Sequence, residues 1–233
     1  MTRSLYCLND PNVGGIAFGV KPYDVKYWQQ YGTMKRRVGL KADLRWREVQ
    51  HLQNVIRKSD IWEDFPAKGY TLVAAEVKAG DEDQRIDVLY IRNDGALLPC
   101  ELKIGGESLD THGQLLRYIA DLQFQPVNLA WIREYHQGFI ESIDSEAARK
   151  LHSDKFSKFL SANAIEDRFV RLLPKSGVIM DENFKPQILK AIRYLNGYCG
   201  FAIRLIQIET YVDDAWQEDM EDYLFRIDFV DVQ

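Results

Sequence analysis

Apolar and polar positions alternate with three different periods along this chain, and each period predicts an element. From Ala42 to Arg57, Leu44, Val49, Leu52, Val55 and Ile56 recur at helical spacing, with Asp43 placed to cap the start. Pro66 and Gly69 punctuate. Tyr70 to Val77 is rich in β-formers and predicts a strand. Ile86 to Ile91 is apolar at every position but Asp87, the pattern of a strand buried on both faces. Asn93-Asp94-Gly95 then predicts a hairpin, with Leu97 to Lys103 as its return strand. A helix is expected from about Thr111 to Gln123, broken by Pro126, and Val127 to Ile132 reads as one more strand. Further on, Ile143 to Leu160 and Lys185 to Asn196 read as helices. Phe201 to Val212 and Tyr223 to Val230 alternate as a two-stranded ribbon.

These elements predict an α/β (α+β) fold in three parts: a basic, aromatic N-terminal segment (1–41), a core (42–135) and a C-terminal α+β extension (136–233). The core order is helix, three strands, helix, strand, giving a mixed sheet flanked by helices. No apolar run approaches the roughly 18 residues of a membrane helix. Cys7, Cys100 and Cys199 are too few and too scattered for a disulfide framework or a zinc site. A cytoplasmic, intracellular protein with reduced thiols and no membrane partner is the simplest expectation.

Net charge changes the picture through its distribution. The total is −5, yet residues 1–58 hold eleven Lys/Arg against four Asp/Glu, a net +7, leaving nineteen against thirty-one, or −12, beyond. Lys35, Arg36, Arg37, Arg45 and Arg47 stand among Tyr23, Tyr27, Trp28, Tyr31 and Trp46, a composition able to neutralise phosphates and stack bases. An ordinary solvated basic face has the same composition. Residues 213–222 carry six carboxylates without the spacing or glycine of a calcium loop, so they read as a solvated loop, or one that docks a basic protein partner.

The candidate chemistry lies in the hairpin. If its loop is Asn93, Asp94 and Gly95, Arg92 faces Ala96 and Asp87 lies directly opposite Glu101, on the same face of the sheet. A two-residue loop, Asp94-Gly95, would set Asp87 against Leu102 and turn Glu101 to the other face. Strand alternation places Lys103 beside Glu101. Taken alone, Asp87 and Glu101 could equally be strand-end acids paired with Arg85 and Lys103. Two carboxylates brought together in a partly buried place repel unless a cation joins them, and a hard divalent ion with oxygen ligands, Mg2+ or Mn2+, suits the donors.

Asp87, thirteen intervening residues and Glu101-Leu102-Lys103 resemble the motif of the PD-(D/E)XK nuclease superfamily. Gln114-Leu115-Leu116-Arg117-Tyr118 resembles the QxxxY motif of its RecB-like and NucS-type nuclease domains, with Gln114, Arg117 and Tyr118 on one helical face. The proline of the family name is replaced by Ile86. The resemblance covers residues 42–133 and implies a PD-(D/E)XK-type core and an Mg2+-dependent DNA endonuclease or nuclease. That enzyme would be a metal-dependent deoxyribonuclease acting through a metal-activated water. It implies Asp87 and Glu101 as metal ligands, with Glu48 on the first helix or Glu76 on the first strand as a third. Lys103 would be the electrostatic or water-positioning group, Gln114 and Tyr118 supporting catalytic residues, and Arg117 a DNA contact. A nuclease that cuts both strands commonly works as a homodimer. The alternative from another class is a catalytically inactive nuclease-fold module that binds nucleic acid or a protein partner.

Overall fold

A computed structural model describes residues 4–7, 35–36, 69–78, 85–103, 110–124, 127–144, 146–166, 170–172, 175–212 and 224–230. The predicted helix over 42–57 and the acidic loop 213–222 lie outside them, as do Glu48, Arg37, Arg45 and Arg47.

Nine strands form one mixed sheet: β1 (Ser4–Cys7), β2 (Lys35–Arg36), β3 (Tyr70–Lys78), β4 (Arg85–Arg92), β5 (Ala96–Leu102), β6 (Arg171–Leu172), β7 (Ser176–Asp181), β8 (Ala202–Val212) and β9 (Leu224–Val230). Their order is β1-β9-β8-β7-β5-β4-β3, with β2 added to β8 and β6 to β5. Four helices are described: α1 (Thr111–Phe124), α2 (Leu129–Glu141), α3 (Glu146–Ala162) and α4 (Pro186–Tyr198). The α/β class expected from the sequence is therefore the class observed. None of these helices is long and apolar enough to cross a membrane.

The apolar run of β4 fits its place. β4 and β5 lie between other strands, and nearly every residue on both faces of each is buried. The β4–β5 hairpin takes the three-residue loop. Val88 faces Cys100 and Ile91 faces Leu97, so the register continues to Arg92 opposite Ala96. Gly95 adopts φ +82°, the left-handed conformation such a loop needs from one residue, and its N–H donates to Arg92 O at 2.9 Å. Arg92 grips both oxygens of Asp94 through Nε and Nη2, at 2.8 and 2.5 Å, which fastens the loop to the strand.

One expectation is corrected. Val127 to Ile132 is not a strand. Asn128 caps a helix there, its Oδ1 accepting from Trp131 N at 2.8 Å, and Leu129, Ile132, His136, Phe139 and Ile140 form the buried helical stripe. A short apolar run satisfies either period, and the cap decided. The strands that follow the motif helix in the sheet are instead β6 and β7, both of which pair parallel with β5. The extension contributes to the same sheet. Its strands β7, β8 and β9 hydrogen-bond into the same sheet as the motif strands, and the expected boundary at 135 falls inside α2.

Candidate active site

β5, β7 and β8 run parallel, so their carboxyl ends open on one edge of the sheet, where ligands of α/β folds bind. The face of that edge can be fixed from a glycine. A Cβ on Gly177 would meet the Leu115 side chain at 2.8 Å, so Gly177 looks toward α1. Alternation puts Ile179 and Asp181 on that face, and Ile179 is the lateral partner of Glu101. Glu101, Lys103 and, across the hairpin, Asp87 therefore all lie beneath α1.

The register of the three-residue loop carries Asp87 and Glu101 to opposed positions on that face. Asp87 Oδ2 accepts from Leu102 N at 2.7 Å, its carboxylate taking the place of a backbone acceptor where the ladder ends. Glu101 is fully buried, at 0 % exposure, and Asp87 nearly so, at 8 %. Lys103 Nζ stands 2.5 Å from Glu101 Oε1. That contact is ionic rather than aligned, and no hydrogen bond reaches either Glu101 oxygen among the described residues. Both Glu101 oxygens thus sit in the interior without a hydrogen bond among the described residues, an expensive position for a carboxylate.

Helix α1 supplies the cover. Tyr118 is buried and Gln114 half-buried on its inner side, and Gln114 Oε1 is another buried oxygen without a hydrogen bond among the described residues. His112 Nδ1, in the same first turn, also lacks a hydrogen bond among the described residues, although no spacing in the sequence marked that histidine. Arg117 instead points outward and reaches Asp110 Oδ2 only at 3.6 Å, a solvent-screened pair.

Glu76 has an unusual backbone. Register counts place it opposite Asp87, between the pairs Ala75–Val88 and Val77–Ile86, and it adopts φ +56° inside a strand. A left-handed glutamate is costly, of order 1 kcal/mol or more, and such residues concentrate at functional sites. The register reaches this point through a bulge at Val73, where pairing shifts between Leu72 and Ala74. The Val73 carbonyl accepts from His136 Nδ1 at 2.7 Å, so α2 holds the bulge. Burial lowers the His136 pKa, a trend only partly offset by that bond, and keeps the ring neutral. Cys100 is no nucleophile. Burial first, then the Asp87 and Glu101 charges, push its thiol pKa well up.

Asp181 was not singled out by the sequence pattern. It ends β7 at 1 % exposure, and its Oδ1 accepts from Asn183 N at 3.2 Å. Asp87, Glu101 and Asp181 are all the buried carboxylates among the described residues, and they end or flank three adjacent strands on one face. The local signal was there: an apolar run, Val178-Ile179-Met180, closed by an acid.

The donors near Asp87 and Glu101 are oxygens, and both Glu101 oxygens and Gln114 Oε1 lack hydrogen bonds among the described residues, which fits a hard divalent cation. Among the described residues, no group of three or more His, Cys, Asp or Glu side chains could hold a metal ion as they stand. The protein would thus offer the Asp87–Glu101 pair, with water completing the shell, as Mg2+ commonly tolerates. Lys35 and Arg36 lie on β2, which pairs with Val212 and Tyr211. No protein-family model, curated protein or solved structure matches this chain.

Proposed function

We propose that this chain is an Mg2+-dependent DNA nuclease of the PD-(D/E)XK kind. One observation carries the reading: the hairpin register sets Asp87 and Glu101 on one buried face with Lys103 in contact with Glu101. Isolated buried acids are costly, and placing two of them beside each other costs more unless a function requires it. The family resemblance supplies the same three residues, and the α1 residues Gln114 and Tyr118 cover the face on which they lie.

A divalent cation at the pair would polarise the scissile phosphodiester and make water acidic enough to attack near neutral pH. The chain's own groups do the rest. Asp87, held by the Leu102 amide, keeps one carboxylate oxygen fixed. Glu101 presents a carboxylate that packing prevents from turning away. Lys103 brings an ammonium to where negative charge develops on the phosphate, the kind of preorganised stabilisation worth roughly 3–4 kcal/mol. Gln114, with its buried amide oxygen, can orient a water proton, and Tyr118 limits access of bulk water from the α1 side. Arg117, exposed on α1, can meet a phosphate of the strand.

The test is cleavage of labelled linear, mismatched, branched and single-stranded DNA with Mn2+ or Mg2+, and with chelator. Metal-dependent cleavage is expected, with a loss of at least about a hundredfold in Asp87→Ala, Glu101→Ala and Lys103→Ala variants that keep the wild-type circular dichroism. Cleavage at wild-type rates by any of them refutes the assignment. DNA binding by a wild-type protein that neither cleaves nor takes up Mn2+ would instead establish a non-catalytic binding module.

A further inference from the structure

Helix α4 carries a face that neither the core nor the candidate site uses. Ile188 and Ile192 are its buried stripe. Asn196 clamps it to β8, its side chain donating to Ile203 O at 2.8 Å and accepting from Ile203 N at 2.9 Å. On the outer side Gln187, Lys190, Arg193, Tyr194, Gly197 and Tyr198 are all exposed. Tyr194 and Tyr198 stand one turn apart, their rings stacked with centroids 5.4 Å apart, yet they are 59 % and 83 % exposed. Apolar side chains exposed singly are ordinary, but two large rings stacked together in water form a patch that a ligand can cover. A Cβ on Gly197 would meet nothing within 4 Å among the described residues, so the space beside the rings is open.

Charge decides what the face fits. From Asn183 to Ile208 the chain carries Lys185, Lys190, Arg193 and Arg204 and no Asp or Glu, although residues 59–233 as a whole carry −12. Lys190 lies one turn before Tyr194 and Arg193 one turn before Gly197, so cations and rings share one side of the helix. Such a surface suits a single nucleic-acid strand, whose bases stack on the rings while its phosphates meet the cations. A duplex keeps its bases on one another and offers phosphate alone. The helix also leads toward the candidate site. It starts just past Asp181, at the carboxyl end of β7, and ends beside Lys175, whose Nζ donates to Cys199 O at 2.9 Å. Its axis, about 20 Å long, thus runs from the candidate-site edge of the sheet to the opposite edge. It packs beside α1, the helix that covers Asp87 and Glu101. We propose that the outer face of α4 binds single-stranded nucleic acid, with Tyr194 and Tyr198 as the base-stacking platform and Lys190 and Arg193 as phosphate contacts.

The inference rests on the nucleic-acid reading of the preceding subsection and extends it to residues remote from the reacting groups, so binding in EDTA, without metal-dependent cleavage, tests it. Labelled oligothymidylate and a duplex of equal length are titrated by fluorescence anisotropy against wild type and variants of unchanged circular dichroism. Tyr194→Ala with Tyr198→Ala should weaken oligothymidylate binding about tenfold and duplex binding less than about twofold, whereas Tyr194→Phe with Tyr198→Phe keeps both rings and should bind as wild type. Lys190→Gln with Arg193→Gln should lower the slope of log affinity against log salt by about 1.4. Oligothymidylate binding unchanged in the alanine variant overturns the proposal, as does an equal loss for the duplex or a wild type that binds no oligothymidylate. Binding of polyglutamate in its place would make the occupant an acidic protein and overturn it too. The nuclease reading is decided separately, by metal-dependent cleavage in wild type against Asp87→Ala.

Discussion

Lys103→Met probes the buried pair most directly. The substitution keeps the length of the side chain and removes its charge, leaving the Glu101 carboxylate at 0 % exposure without its 2.5 Å counter-ion. Removing one partner of a buried ion pair costs about 3–5 kcal/mol. Lys103 retains 16 % of its side-chain exposure, so water reaches that side of the site and the lower figure, about 3 kcal/mol, applies. For a chain of this size 1 kcal/mol moves the melting temperature by about 2–4 °C, so a drop of about 6–12 °C is expected. The assay is thermal unfolding by circular dichroism in EDTA, with Glu101→Gln and the double variant completing a cycle. Glu101→Gln in the Lys103→Met background should restore most of the loss, a coupling of about 2 kcal/mol. Melting of Lys103→Met within about 2 °C of wild type, or strictly additive losses, would show that the pair is not the buried interaction described.

Three further substitutions test the frame around the site. Gly177→Ala places a methyl 2.8–3.1 Å from the buried Leu115 side chain and should cost about 1–3 kcal/mol in urea unfolding, with Leu115→Val recovering part of it. Gly95→Ala, at φ +82°, should lose about 1–2 kcal/mol by the same measurement, and Gly95→Asn less. His136 is held neutral in the fold, its pKa lowered by burial, while the unfolded chain protonates it below the ordinary value of about 6.5. The unfolded state therefore binds more protons as pH falls through 6.5, and stability should decline there until the lowered folded value is passed. His136→Gln should flatten that decline between urea midpoints taken at pH 7.5 and 5.5; an unchanged slope removes His136 as its source.

The hairpin was legible because its determinants are local. Asn93-Asp94-Gly95 fixes a loop length, loop length fixes register, and a period of two then carries Asp87, Glu101 and Lys103 to one face. Helix α1 was equally local, its apolar spacing setting Leu115, Tyr118 and Leu122 inward. The sequence left two loop lengths open, and the folded sheet takes the longer, which keeps Glu101 on the α1 side.

What tertiary structure alone decided is non-local. β7 joins β5 in parallel from more than seventy residues away, and a parallel neighbour leaves no turn signal in the sequence. Asp181 came beside Lys103 only through that pairing, as did the lateral contact between Lys103 N and Met180 O. The bulge that sets Glu76 opposite Asp87 likewise depends on His136 reaching the Val73 carbonyl across sixty-three residues. Short-range backbone geometry could be read along the chain. Which buried charges share a face depends on strand neighbours chosen by the whole core, and those were settled only when the sheet closed around them.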